Sequence, residues 1–365
     1  MICIKFNRNI ECLLVYTNER GSHMRYVELV DLRKFEQKEG PIPEVKPDEI
    51  RIKVQRVGVC GSDMHAYQGT HPFVHPPMVL GHEVAGIVDE VGSQVKNLAK
   101  GDLVTIEPNL VCGECYNCRT GRYNICEKLQ VIGCVGYYGG QSEYLVVKAD
   151  EVFKLPKDWD ADKAVLIEPL AVGVHAVRQA KMLTGANIII IGAGMIGQAT
   201  LQAAFTAGAK QILVSDPVDI RLELAKKSGA TMVVNPKKED IYQVAKKYFG
   251  SDGPDMVFDC VGNEITLDTA INLARKGSKI IMVGVPEGKI PVNMAYVQDR
   301  ELEIIGTIMY TAVDYEATIQ YLNDGRMKTD GLVTHHFSLD QVYDAFETAL
   351  NPSRGSLKVL IDVSE

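Results

Sequence analysis

The chain has 365 residues, a formal net charge of −8, and a composition of 46% hydrophobic and 24% charged residues with 32 glycines. That length accommodates two domains, and the composition is that of a globular chain with a large core, not a disordered or fibrous one. The negative balance argues against nucleic-acid backbones and anionic membranes as partners. No run of 18 apolar residues offers a transmembrane helix.

Residues 1–20, MICIKFNRNIECLLVYTNER, lack the long apolar stretch and small-residue cleavage site of a signal peptide. The tetrapeptide GSHM at Gly21–Met24 has the look of a cloning remnant. Residues 1–23 are therefore expected to be an extension, with the natural protein beginning at Met24. Without a secretion signal a cytoplasmic location is expected. The nine cysteines are then expected to be thiols and metal ligands, not a disulfide framework.

From Met24 to about Asp150 short strands alternate with turns: EIRIKVQRVGVC, EVAGIVDEVG, GDLVTIEP and SEYLVV. This predicts an all-β, barrel-like segment. After about Ala171 the rhythm changes. NIIIIGAG is a continuous apolar run ending in glycines, the pattern of a strand buried on both faces. QILVSD, TMVV, DMVFDCVG, SKIIMVG and LEIIGTI follow, separated by helix-length segments, which implies βαβ units and a parallel sheet. The tail from about Thr311 reads as helical segments and a final strand, SLKVLIDV.

GAGMIG supplies Gly192, Gly194 and Gly197 in G-x-G-x-x-G spacing, after a strand and at the opening of a helix. In that context Gly192 serves a tight turn, Gly194 the approach of a pyrophosphate, and Gly197 the close packing of helix and strand. Asp216 ends the second strand, 19 positions after Gly197. Its carboxylate suits ribose hydroxyls and would repel a 2′-phosphate, favouring NAD over NADP, although Arg221 nearby could serve a phosphate.

CGECYNCRTGRYNIC places Cys112, Cys115, Cys118 and Cys126 as C-x2-C-x2-C-x7-C. Four thiolates on one short loop close a tetrahedral shell around a structural zinc, and an iron–sulfur cluster is the competing reading. A second constellation is separate from it: Cys60, Ser62, Asp63 and His65 in GVCGSDMHAYQG, and His82 and Glu83 in VLGHEVAG. A thiolate and an imidazole make half a catalytic zinc site, which needs a third protein ligand and an open position. Glu83 is one candidate. Glu168, a lone carboxylate in the apolar run KAVLIEPLAVGVHA, is the other.

Taken together, Cys60-Gly-Ser-Asp-x-His65, Gly81-His82-Glu83, the four-cysteine lobe and the late glycine loop resemble the zinc-dependent medium-chain dehydrogenases over Met24–Glu365. The resemblance implies an α/β chain in which a doubly wound Rossmann sheet (171–310) is inserted in a chaperonin-10-like, GroES-like β-barrel catalytic domain (24–170 and 311–365). The polyol branch, similar to the sorbitol dehydrogenases, carries Glu-Pro where this chain has Glu168-Pro169. Met309-Tyr310 stands where that branch carries Arg-Tyr, which puts sorbitol itself in doubt.

What the resemblance implies about chemistry follows. One catalytic and one structural zinc per chain are expected. The catalytic zinc would be held by Cys60, His82 and Glu168, with Glu83 beside it or as an alternative ligand. Ser62 and His65 would relay a proton. NAD would be bound by Gly192, Gly194, Met195, Ile196, Gly197, Asp216, Arg221, Val261 and Val285. The expected reaction is hydride transfer from a secondary alcohol (a polyol, sugar acid or diol) to NAD, giving a ketone. A homodimer or homotetramer is expected. A non-catalytic NAD-binding zinc protein, a zinc-free reductase of the same fold, and a butanediol- or threonine-type dehydrogenase are the alternatives.

Overall fold

A computed structural model describes residues 23–351 and 355–364, together with the backbone of an antiparallel strand pair, Ile2–Phe6 and Asn9–Leu13. The expected start at Met24 falls one residue inside the strand His23–Asp31; Gly21 and Ser22 lie outside the described residues.

The predicted strands of the first half form one seven-stranded sheet. Its path runs Val152–Lys154, Leu103–Ile106, Glu83–Val91, Glu49–Val59, Lys358–Asp362, Val333–Ser338, with Tyr144–Lys148 also paired to Glu49–Val59. The C-terminal strand thus returns to the first half, with Val359 opposite Val59 and Ile361 opposite Val57. Val333–Ser338 is a strand that the apolar pattern does not predict. Its exposure alternates along VTHHFS, and its histidines and threonine carry no apolar signature.

The long strand Glu49–Val59 aims the site. Ile50, Ile52 and Val54 fill the barrel core, and so do Val57 and Val59. The phase slips from even to odd because the pairing with Glu83–Val91 is irregular between Val54 and Arg56. Such an irregularity re-aims every side chain beyond it. The strand ends at Val59, so Cys60 emerges as the N-cap of the helix Gly61–Gln68.

The second sheet has six parallel strands in the order Met232–Val234, Gln211–Ser215, Asn187–Ile191, Met256–Asp259, Lys279–Met282, Glu303–Gly306. Numbered by sequence this is 3-2-1-4-5-6, the doubly wound arrangement expected. The NIIII run behaves as a strand buried on both faces. Ile188 and Ile190 belong to one core cluster, Ile189 and Ile191 to the cluster on the opposite face. Strand order reverses between Asn187–Ile191 and Met256–Asp259, so a crevice opens at their C-terminal ends.

Candidate active site and metal centres

Cys112, Cys115, Cys118 and Cys126 converge. Their sulfurs lie 3.9 Å (Cys112–Cys118), 3.5 Å (Cys115–Cys118), 4.0 Å (Cys115–Cys126) and 3.5 Å (Cys126–Cys112) apart. Four sulfurs at a zinc–sulfur length of about 2.3 Å span edges of roughly 3.8 Å in a tetrahedron. The lobe therefore fits one tetrahedral ion. An iron–sulfur cluster, whose cysteines bind different irons, would hold them farther apart. Backbone amides stabilise thiolate there: those of Cys118 and Glu127 push the Cys115 thiol down to about 6.

The second constellation also assembles. Ligand atoms of Cys60, His82 and Glu83 all lie within 4.8 Å of one another. Cys60 immediately follows the strand Glu49–Val59, and His82 immediately precedes the neighbouring strand Glu83–Val91. Asp63 ties them together. One carboxylate oxygen accepts from the Cys60 amide at 2.9 Å, and the other lies 3.5 Å from His82 Nδ1. That oxygen and His82 Nδ1 are buried with no hydrogen-bond partner. Asp63 is thus the carboxylate that would orient His82 as a ligand, a role its place in the motif does not reveal. Burial disfavours the imidazolium, yet Asp63 and Cys60 outweigh it and raise the His82 pKa well above its ordinary value.

Glu83 is compensated. Lys358 Nζ lies 2.6 and 2.8 Å from its two oxygens and donates to the Val59 carbonyl at 3.1 Å. Both side chains are buried, Glu83 at 0% and Lys358 at 3% exposure. Gly58 makes the room, since a Cβ there would sit 1.7 Å from a Glu83 oxygen. Replacing Lys358 with Met should destabilise the fold by about 3–5 kcal/mol, because it strands a buried carboxylate. Denaturant unfolding measures it, and adding Glu83→Gln should restore most of the loss.

Glu168 lies outside the Cys60–His82–Glu83 trio. It sits in the first turn of the helix Ile167–Gln179, 3% exposed, followed by Pro169 at a position whose missing N–H costs nothing. Its Oε1 accepts from the Tyr310 hydroxyl at 2.6 Å. Among the described residues no lysine or arginine pairs with it. Burial, reinforced by Glu83, pushes its pKa up to about 7 against the opposing influence of His82, Tyr310 and Lys358. The pocket thus encloses three carboxylates and a thiol around one lysine and one imidazole. That surplus of negative charge fits a divalent cation.

Ser62 and His65 lie on the helix Gly61–Gln68 three positions apart, hence on one face. His65 Nε2 is 3.5 Å from Glu287 Oε1, which reaches across from the loop after strand Lys279–Met282.

The glycine loop has the shape expected. Gly192 has φ +95°. A Cβ at Gly197 would lie 1.9 Å from the Gly192 carbonyl oxygen, so helix and strand pack at a distance only glycine permits. Gly194 caps the helix Met195–Thr206 and faces open space, with the nearest atom, an Arg221 nitrogen, 4.0 Å from a built Cβ. Met195 and Ile196 begin that helix, whose N-terminus suits phosphate. Asp216 accepts from the amides of Ala193 (2.7 Å) and Val218 (2.8 Å). Arg221 donates to the Ser356 carbonyl at 3.0 Å. Val261 and Val285 are exposed beyond the ends of the next two strands, 43% and 65% accessible.

A doubly wound nucleotide sheet beside a buried thiol–imidazole–carboxylate pocket defines a metal-dependent dehydrogenase. Comparison with known proteins gives the family. Residues 46–157 match the alcohol dehydrogenase GroES-like domain and residues 196–324 match the zinc-binding dehydrogenase domain. The chain is 38% identical to sorbitol dehydrogenase of Bacillus subtilis (strain 168) over 325 residues, 88% of this chain and 92% of that protein. It is 35% identical to L-idonate 5-dehydrogenase of Vitis vinifera over 331 residues, 88% of this chain and 90% of that one. An Escherichia coli oxidoreductase of unknown specificity superposes with a TM-score of 0.90 at 36% identity, covering 94% of this chain and 100% of that one. The chain belongs to the zinc-dependent medium-chain alcohol dehydrogenases, and is an oxidoreductase that works with zinc and a nicotinamide cofactor.

Proposed function

We propose that this enzyme oxidises a secondary hydroxyl of a polyol or sugar acid with NAD, giving a ketone. The observation that carries the reading is the Cys60–His82–Glu83 cluster with Glu83 already paired to Lys358, beside a buried Glu168 that feels the charges of His82 and Glu83 and, among the described residues, has no lysine or arginine partner of its own. On that ground Cys60, His82 and Glu168 are assigned as ligands. Glu83 is assigned as the charged neighbour held in reserve. The names of the relatives, a sorbitol and an idonate dehydrogenase, support a polyhydroxylated substrate.

When bound, zinc supplies the Lewis acidity that acidifies an alcohol, and NAD supplies the hydride acceptor. The protein does the rest. Asp63 orients His82. Ser62 takes the substrate proton and passes it to His65, which is partly exposed and delivers it to solvent. Val261 and Val285 flank the crevice that aligns the nicotinamide, and the N-terminus of Met195–Thr206 receives the pyrophosphate.

NAD is favoured over NADP because the Asp216 carboxylate, anchored by the Ala193 and Val218 amides, stands at the end of the second strand where a 2′-phosphate would have to sit. Asp216→Ala should raise the KM for NAD by about tenfold while leaving that for NADP equal or lower. Equal losses for both would refute the assignment.

Residues 24–170 with 311–365 are assigned to catalysis and 171–310 to nucleotide binding. Among the described residues no helix is long and apolar enough to cross a membrane. A cytoplasmic location is supported by the described cysteines, which cluster as metal ligands or stand alone and form no disulfide among the described residues. Association into a homodimer or tetramer is supported by the parallel sheet's open edge at Glu303–Gly306. There Ile304, Ile308 and Val313 are 37%, 50% and 59% exposed.

A screen of NAD reduction tests the substrate class. Polyols or aldonates should exceed 2,3-butanediol and threonine by about tenfold or more in kcat/KM. Preference for threonine or butanediol would overturn the reading. Sorbitol itself should rank below a substrate that needs no cation at Met309, which stands where the sorbitol dehydrogenases carry Arg.

A further inference from the structure

The four-cysteine lobe reaches beyond its own sulfurs through two residues just before Cys126. Asn124 is 6% exposed. Its Nδ2 donates to the Ile308 carbonyl at 3.0 Å and lies 3.4 Å from His175 Nε2. Ile308 is two residues before Tyr310. His175 lies seven residues after Glu168 on the same helix, two turns along it. One lobe side chain therefore touches both the helix that carries Glu168 and the segment that carries its hydrogen-bond donor.

Tyr123 secures the other end of that segment. Its hydroxyl accepts from the Ala312 amide and donates to Glu107 Oε2 at 3.1 Å. Glu107 Oε1 in turn accepts from Asn109 Nδ2 at 3.2 Å, and that same nitrogen lies 3.3 Å from the Tyr310 carbonyl. The segment so gripped, Ile308–Ala312, is where the chain leaves the parallel sheet for the helix Ala312–Asn323. At its centre Met309 holds φ +52°, a conformation a non-glycine residue keeps only where its surroundings dictate it. The next residue, Tyr310, is fully buried and donates to Glu168.

Not every polar side chain of the lobe reaches outward. Asn117, in the same lobe, donates inside it, to the Ile125 carbonyl at 2.9 Å and Glu127 Oε1 at 3.2 Å. The outward contacts of Asn124 and Tyr123 do something else.

We propose that Asn124 and Tyr123 are positioning residues for the catalytic metal site. They transmit the folded, metal-closed state of the four-cysteine lobe to the Tyr310–Glu168 pair, so that loading the lobe sets the competence of the distant site. The proposal rests on Glu168 being a metal ligand.

The test uses full-length protein with cobalt in place of zinc and two readouts. Amide hydrogen exchange at residues 308–312 reports the grip on the segment. The visible absorption of the catalytic cobalt, with its release rate to a chelator, reports the ligand set. Asn124→Ala should speed exchange at 308–312, shift the catalytic cobalt bands, and speed release of that ion by up to about tenfold, the low end of what loss of a partner bonded directly to a ligand costs in affinity. Tyr123→Phe, which removes one oxygen and keeps the ring, should act in the same direction. Asn117→Ala should leave both readouts at the parent values.

Parent-like exchange and bands in both Asn124→Ala and Tyr123→Phe would overturn the proposal. Equal effects in Asn117→Ala would overturn it too, by showing general loosening of the lobe. Glu168→Gln serves as the reference. If it leaves the cobalt bands unmoved, the ligand reading beneath the proposal fails. If it moves them and neither Asn124→Ala nor Tyr123→Phe does, the transmission itself fails.

Discussion

Cys60→Ala should lower kcat/KM for alcohol oxidation by about 10⁴-fold or more and reduce the metal content from two ions per chain to one. A Lewis acid supplies several kcal/mol of transition-state stabilisation, and each 1.36 kcal/mol is about tenfold in rate. The thiolate is also hard to replace. Alanine leaves His82 and the carboxylates to bind alone, in a pocket where an Asp63 oxygen lies 3.5 Å from His82 Nδ1. The four-cysteine lobe draws on none of these atoms, so its ion should stay. Metal analysis alongside steady-state kinetics makes the comparison. Retained activity with one ion would end the catalytic-zinc reading.

Glu168→Gln should have two opposite effects, and the sign of each follows from the burial of the carboxyl. In the metal-loaded enzyme it removes the anionic ligand proposed above, so affinity at the catalytic site should fall by at least about 10- to 100-fold. In the metal-free protein it should stabilise. The folded pKa of Glu168 is raised from 4.5 to about 7 by burial. A group raised in this way contributes stability that is fully present below the unfolded value and is lost as pH rises through 4.5 to 7. Above pH 7 the apo protein therefore carries a buried carboxylate that costs on the order of 3 kcal/mol, because a tenfold change in proton affinity is worth about 1.36 kcal/mol. Glutamine removes that cost. The melting temperature of metal-free Glu168→Gln should exceed that of the parent at pH 8, and the gap should close toward pH 5. The converse holds for metal uptake by the parent. Protons on Glu168 and His82 compete with the ion, so affinity should weaken as pH falls below about 7.

Much of this was legible because the chemistry needs rare residue types at fixed spacing. Four cysteines within fifteen positions could be read as one site, and the sulfur separations then chose a single tetrahedral ion over a cluster. The glycine loop was legible for the same reason, since positive φ and close approach leave glycine little competition. The parallel sheet was visible in its apolar runs. The strand Val333–Ser338 was not, because an edge strand with alternating polar residues has no such signature.

The second metal site was only half legible, for a physical reason. Glu168 invites a search for a positive partner, and the nearest buried lysine pairs with Glu83 instead. Lys358 is open to the same reasoning, being a lysine that opens the apolar strand KVLID, whose only other charge, Asp362, stands at the far end. Sequence shows that a buried charge needs compensation; it does not show which of two carboxylates receives it. Asp63 is hidden for a related reason. Its value lies in reaching two residues at once, the Cys60 amide and His82, and such reach depends on the helix turn that begins at Cys60. Tyr310 can be placed by its neighbour Met309 but not by its hydroxyl, whose contact with Glu168 joins positions 142 residues apart.

Crystals of the zinc-loaded enzyme, measured on either side of the zinc absorption edge, give the most direct answer. Two anomalous peaks per chain are expected. One should lie among Cys112, Cys115, Cys118 and Cys126. The other should lie about 2.0–2.3 Å from the Cys60 sulfur, a His82 nitrogen and a Glu168 oxygen, with Glu83 still paired to Lys358. A lone peak in the four-cysteine lobe, or a second peak on Glu83 with Lys358 displaced and both Glu168 oxygens out of reach of the ion, would contradict it.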